Sequence, residues 1–201
     1  MSPETGSKRK YELRKRAADM AKTHERITEA AIDLHGTLGP SRTTLSAVAE
    51  RAGVERRTLY RHFPNEADLF AACSTHYFAA NPWPGLDGWR SVGDPERRLE
   101  LALDELYGYY ERTEPMLGNV LRDADLVDFA RAAMEPFDAY LDDAAEVLIA
   151  GRRARGRRRE LLRGALRHAL AFSTWQSLSA NGVERGDAVK LAAALVEAAA
   201  R

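Results

Sequence analysis

Between positions 53 and 64 the chain reads GVERRTLYRHFP, and most of its polar side chains can donate hydrogen bonds. Arg56, Arg57, Thr58, Tyr60, Arg61 and His62 fall on the outer face of a very short helix. Leu59 and Phe63, one turn apart, are enough to bury its other side. A helix this short and this polar gains little from core burial. It presents instead a convex set of donors sized to enter a DNA major groove, where base edges offer acceptors. The chemistry on offer is recognition of a duplex.

Such a helix has to be held outward by its neighbours, and the flanking periodicity supplies them. Residues 1 to about 20 are basic and polar (Lys8, Arg9, Lys10, Arg14, Lys15 and Arg16) and read as a mobile arm or a helix extension. Ile27, Ala30, Ala31, Leu34 and Leu38 form one stripe of a helix from Lys22 to Leu38, stopped by Gly36 and Gly39-Pro40. Thr44 is placed to cap a second helix with the stripe Leu45, Val48, Ala49 and Ala52, and Gly53 is its left-handed exit residue. The third helix opens at Arg56. With Glu55 as its cap, Val54 and Leu59 stand at hydrophobic-staple spacing. Pro64 ends it, and Asn65 with Asp68 gives a cap resembling a capping box for a fourth helix through Leu69, Phe70, Cys73 and Tyr77. Three short helices with a roughly four-residue turn before the third is helix-turn-helix syntax.

The bulk composition agrees with a folded helical protein. Of 201 residues, 45% are apolar and 30% charged, which excludes a largely disordered chain. The formal net charge of zero hides an asymmetry. Residues 1–64 carry 13 Lys or Arg against 8 Asp or Glu, and the remainder carries 17 against 22. The positive excess thus sits with the candidate reading helix, where phosphate attraction helps. A single cysteine, Cys73, rules out an internal disulfide framework and a cysteine-rich zinc site; it reads as a small core residue. No run approaches ~18 continuous apolar residues, so no membrane helix is expected. MSPETGSKRK has no apolar segment behind its charges and does not read as a secretory signal, so a cytoplasmic protein is expected.

An enzyme would need a constellation that the chain lacks. Gly-x-Ser-x-Gly, His-Glu-x-x-His and the dinucleotide fingerprint are absent, and the histidines are dispersed at 24, 35, 62, 76 and 168. No cofactor or metal is expected. The run GRRARGRRRE, residues 151–160, superficially resembles a phosphate loop, but no strand precedes it and the Lys-Ser/Thr ending is missing. It reads as a solvated turn between helices, or as a segment that pairs with acidic stretches or an anionic ligand. Residues 81–95, with three prolines and three glycines, cannot continue a helix and mark the junction between two regions. Beyond it, helices are expected near 95–112, 114–126, 127–150, 157–180 and 187–200, with Pro115 and Pro136 at uncertain inner boundaries.

Residues 26–70 resemble the TetR family of bacterial transcriptional repressors. The likeness rests on Arg26-Ile27 with Ala30-Ala31, then Thr44-x-x-x-Val48-Ala49, Ala52-Gly53-Val54, Thr58-Leu59-Tyr60-x-His62-Phe63 and Leu69. The resemblance implies an all-α fold of about nine helices. A basic arm (1–21) would precede a three-helix helix-turn-helix DNA-binding domain with connecting helix four (22–80). A helical effector-binding and dimerisation domain would follow (81–201). Carried over, Thr44 would cap helix two and contact a phosphate. Arg56, Arg57 and Thr58 would face base edges, and Tyr60 and His62 would hold the DNA backbone. An arginine fork bonds guanine O6 and N7 together, the role that suits Arg56 and Arg57; Arg61 would read a base or clamp a phosphate. Two positions depart from the family's pattern: Glu55 replaces a short polar cap, and Glu66 stands where a lysine is frequent.

In that family the C-terminal region binds a small molecule and dimerises, and ligand binding lowers DNA affinity. A ligand-responsive repressor released by an apolar or aromatic effector is therefore implied; the alternative is a DNA-binding regulator without an effector. Tyr107, Met116, Phe137 and Trp175 are the candidate pocket residues, though the same side chains also suit an ordinary bundle core. His168 reads as a core or interface histidine. Ala165, Ala169, Ala193, Ala194 and Ala198 permit close approach of helices. A homodimer through the last two helices would then set two reading helices on a near-palindromic operator.

Overall fold

The computed structural model describes the backbone of residues 4–200 and the side chains of residues 10–199. Among the described residues there are ten α-helices, one 3-10 turn and no strand. The helices are α1 (Glu4–Thr37), α2 (Leu45–Arg51), α3 (Arg56–His62), α4 (Glu66–Ala80), α5 (Leu86–Arg90), α6 (Pro95–Asp123), α7 (Asp128–Ile149), α8 (Arg157–Leu170), α9 (Phe172–Ala180) and α10 (Arg185–Ala200). The 3-10 turn spans Pro40–Arg42. All-α architecture follows from apolar positions that recur at helical spacing with no run of alternating β-branched residues.

Several boundaries differ from those expected, each for a physical reason. The expected basic arm is a helix extension from Glu4 onward; Met1, Ser2 and Pro3 lie outside the described residues. Every side chain from Lys10 to Lys22 is exposed, so this part of α1 carries its basic residues into solvent. At the other end, α1 stops at Thr37, Leu38 is exposed rather than part of the stripe, and His35 takes the buried place. The Pro- and Gly-rich junction does hold one turn of helix, α5, anchored by the fully buried Trp89. Its indole donates to Glu105 Oε2 at 2.7 Å.

Neither inner proline ends a helix. Pro115 has no N–H for the Glu111 carbonyl, yet α6 continues, with buried Thr113 and Leu117 on either side. Pro136 sits within α7 between buried Met134 and Phe137. The single helix expected over 157–180 is instead broken at Ala171, whose ψ of 138° is extended. The break leaves carbonyls without helical donors, and tyrosines of α6 take them up. Tyr107 Oη donates to Ala169 O at 2.8 Å, and Tyr110 Oη to Leu170 O at 2.6 Å. Burial alone raises the Tyr107 hydroxyl pKa, and burial with neighbouring phenols raises that of Tyr110, so both remain protonated donors.

The chain divides into two compact units. The first comprises residues 1–80 with 118–133; the second comprises 81–117 with 134–201. The first thus takes in a segment that the sequence assigns to the C-terminal region. Its core is Ile27, Ala31, Val48, Ala49, Leu59, Phe63, Leu69, Phe70 and Cys73, with the Phe129 ring tilted against Phe70 at 5.0 Å. Cys73 is the small core residue expected: its Sγ contacts Phe70 O, and burial pushes the thiol pKa up to about 12. The second unit buries Leu99, Leu103, Leu106, Leu148, Leu162 and Leu166 completely.

Candidate nucleic-acid interface

Capping chemistry sets the approach to α3. Thr44 is the N-cap of α2, its hydroxyl accepting from Ala47 N at 3.2 Å. At the far end Gly53 adopts φ +62°, Gly53 N donates to Glu50 O at 3.0 Å, and Val54 N donates to Ala49 O at 2.9 Å. This paired closure is a Schellman motif, and it reverses the chain within four residues. Glu55 is the N-cap of α3 by its backbone only; its carboxylate makes no capping bond. After Pro64, Asn65 accepts from Asp68 N at 2.8 Å. The Asp68 carboxylate in return accepts from Asn65 Nδ2, not from the Asn65 backbone N–H as in a true capping box.

Two side chains seat α3. Leu59 is fully buried and Phe63 nearly so, the latter against the His24 ring of α1 at 4.5 Å. Arg56, Arg57, Tyr60 and Arg61 are exposed, whereas Thr58 and His62 are half-buried at the flanks rather than on the open face. Among the described residues no carboxylate pairs with Arg56, Arg57 or Arg61, while Arg51 of α2 is held by Asp33 at 2.7 Å. The Arg56 guanidinium lies 6.0 Å over the Tyr60 ring, a cation–π arrangement that steadies it along the helix. His62 turns its ring toward His24, centroids 6.1 Å apart, and its Nε2 is shut from solvent without a hydrogen-bond partner among the described residues. Burial, then the charges of Arg61 and His24, lower its pKa, so the ring is neutral at pH 7. The result is a compact outward surface of three uncommitted guanidinium groups on a helix seated from beneath. Thr44 and Glu66 are exposed as well.

Residues 27–73, which contain α2, α3 and their caps, match the sequence profile of the bacterial regulatory proteins of the tetR family. This segment is a TetR-type helix-turn-helix region. An uncharacterized HTH-type transcriptional regulator of Mycobacterium bovis is 40% identical over 62 residues, 31% of this chain and 33% of that protein. The chain thus spans about a third of the length of the curated TetR-type relatives it matches. Over most of the chain the fold is also that of solved TetR structures. A TetR-like transcriptional regulator from Rhodococcus sp. RHA1 superposes with a TM-score of 0.65 at 21% identity, covering 87% of this chain and 93% of that one. NalD of Pseudomonas aeruginosa, the secondary repressor of the MexAB-OprM multidrug efflux pump, gives 0.65 at 21% identity, covering 90% and 97%. The curated relatives that this segment matches are described as HTH-type transcriptional regulators.

In the second unit the candidate effector residues take different places. Tyr107, Phe137 and Trp175 are buried, and Met116 is half-buried. Trp175 stands 5.8 Å from Tyr110, and Phe137 5.4 Å from Trp83 and 5.9 Å from Tyr140, in a continuous aromatic cluster. His168 is exposed, not in the core. It lines an open groove of about 230 Å³ with Leu178, Leu191 and Leu195.

Arg152 in the arginine-rich run departs from the solvated-turn reading. Its side chain is 7% exposed, ion-pairs with Glu197 at 2.7 Å, and donates to Pro95 O at 3.1 Å and Leu148 O at 3.1 Å. No helix of the described residues is long and apolar enough to cross a membrane, and no cluster among them could hold a metal ion.

Proposed function

We propose that the protein is a cytoplasmic transcriptional repressor that binds a near-palindromic DNA operator as a homodimer and is released by a small apolar or aromatic effector. The observation that carries the DNA reading is the uncommitted triad Arg56, Arg57 and Arg61 on the exposed face of α3. Guanidinium forks without internal carboxylates are free to take guanine O6 and N7 or phosphate oxygens. Thr44 supplies a phosphate contact at the start of α2, Thr58 a contact to a thymine methyl or a phosphate, and Tyr60 and His62 hold the DNA backbone beside them. The exposed basic side chains of α1, Lys10, Arg14, Lys15 and Arg16, add long-range attraction.

Dimerisation is supported by apolar surface on the last helices. Leu161 of α8 and Leu191 and Leu195 of α10 are exposed, beside the small exposed Ala194 and Ala198. Two-fold pairing there puts two copies of α3 on one DNA face, about one helical turn or a multiple apart. Repression rather than activation is supported by the role of NalD, a repressor with the same fold.

One observation favours the second reading, a regulator without an effector: Tyr107, Phe137 and Trp175 pack into the aromatic cluster, and the Tyr107 hydroxyl is already bound to Ala169 O. Selection of bound sequences from random duplex DNA tests the central claim. Enrichment of inverted repeats containing guanine in each half-site is expected, and recovery of no consensus overturns it. Thermal-shift screening against lipophilic compounds separates the two readings, since only the effector-responsive protein is stabilised by one that also releases the selected DNA.

A further inference from the structure

The chain between α1 and α2, residues 38–43, is held mainly by polar ties. Leu38 is exposed, and burial within the segment is limited to Gly39 and Pro40. Backbone groups left over at a helix end need partners. Here one turn at the end of α6 provides them. Asn119 Nδ2 donates to Gly36 O at 2.8 Å and His35 O at 3.2 Å. Arg122 donates to Leu38 O at 3.0 Å, and Ser41 N donates to Asp123 Oδ2 at 2.9 Å. The three side chains also bind one another: Arg122 Nε donates to Asp123 Oδ1 at 2.8 Å, and another Arg122 nitrogen donates to Asn119 Oδ1 at 2.7 Å.

Asp123 is the hub of this network, with a side chain only 1% exposed. Burial would push its carboxyl pKa up, but the bonds from Arg122 and Ser41 outweigh that and hold it below the ordinary carboxylate range. The fit is close on both sides. Gly39 has φ +94°, and a Cβ there would overlap the Arg122 guanidinium and the Asp123 carboxylate. Thr43 then closes the turn with its hydroxyl on Gly39 O at 2.8 Å, and the next residue is Thr44, the cap of α2.

We infer that Asp123, supported by Asn119 and Arg122, is a positioning residue for DNA binding that fixes the turn from which Thr44 and α2 are presented. The inference rests on the DNA-binding reading above. Thr44 lies three positions after the anchored Ser41 N–H. Freeing that anchor lets the cap and the first turn of α2 shift by a sizeable part of a hydrogen-bond length, and a misplaced contact group loses most of its worth. Asp123 touches no DNA; it acts through Thr44.

A double-mutant cycle on operator affinity tests this, using the full chain and a duplex selected with the wild-type protein. Affinity is expressed per active molecule from stoichiometric titration. Asp123→Asn should lower affinity about tenfold, and Thr44→Ala should cost markedly less in the Asp123→Asn background than in the wild type, because coupled residues are not additive. A role in stability alone would lower the melting temperature and leave affinity per active molecule unchanged. Wild-type affinity in Asp123→Asn overturns the inference, as does a loss additive with Thr44→Ala. If Asp123→Asn does not fold, Arg122→Gln, at a half-exposed side chain, takes its place in the cycle with the same outcomes. Failure of the wild type to select any duplex would instead refute the DNA-binding reading itself.

Discussion

Three arginines of α8 each reach a carboxylate of α7, whereas three arginines of α3 reach none among the described residues. Arg163 lies 3.3 Å from Asp142, Arg167 lies 3.2 Å from Asp138, and Arg159 pairs with Glu146. Arg56, Arg57 and Arg61 stand on a helix with no acidic residue in its first turn. The residue type and its helical spacing are alike in both places. What differs is the facing element. α8 lies along an acidic helix, so its charges are spent within the fold, at ion pairs that contribute at most about 1 kcal/mol each when exposed. α3 faces solvent, so its charges stay available to an outside partner.

The comparison can be broken at its foundation first. Leu59→Ala removes the fully buried side chain beneath the free arginines and should destabilise the protein by about 2 to 5 kcal/mol in chemical denaturation. A near-neutral result would mean that α3 is not seated as described.

Acid acts next on the same unit. His35 is buried, and burial, partly opposed by Asp123, lowers its pKa to about 4. The unfolded imidazole takes up a proton near 6.5 and the folded one only near 4. Unfolding therefore absorbs a proton between those values, and each step down in pH favours the unfolded chain. Stability should fall by about 3 kcal/mol from pH 7 to pH 4 through this group alone. Melting curves of His35→Gln should show a flatter response over that window; an unchanged slope would assign the loss to other groups.

Two arginine substitutions then test the contrast directly. Arg57→Ala should weaken the specific complex by about 1 to 3 kcal/mol with an unaltered melting temperature. Arg163→Ala should leave DNA affinity unchanged and lower stability by less than about 1 kcal/mol. Equal effects of the two on affinity, by gel-shift titration, would erase the distinction drawn here. The salt response sharpens it further. Log affinity should fall against log salt by about 0.9 per neutralised phosphate, and Arg61→Ala should flatten that slope if Arg61 clamps a phosphate.

Much of the first unit was legible in the sequence because its signals are local. Gly53 is needed where φ is positive, Thr44 lies at capping distance from Ala47, and Leu59 and Phe63 lie one turn apart. Each depends on neighbours within four residues, which is the range of capping and helical periodicity. The acidic partners of the α8 arginines, the buried place of Arg152 and the network around Asp123 were not legible, since their distant partners lie 13 to 84 positions away. The break at Ala171 was hidden for the same reason. Nothing around that residue is a helix breaker, and the hydroxyls that take up the freed carbonyls come from Tyr107 and Tyr110, some 60 positions earlier.

By itself the amino-acid order determined the helical class, the short polar helix with its turn and caps, and the candidate contact residues on its surface, because these follow from backbone sterics and the 3.6-residue repeat. Only the tertiary structure decided which arginines remain free, where α8 gives way to α9, and that the end of α6 grips the turn leading into α2. Charge neutralisation and backbone satisfaction are completed across space, and a linear string does not record which distant groups meet.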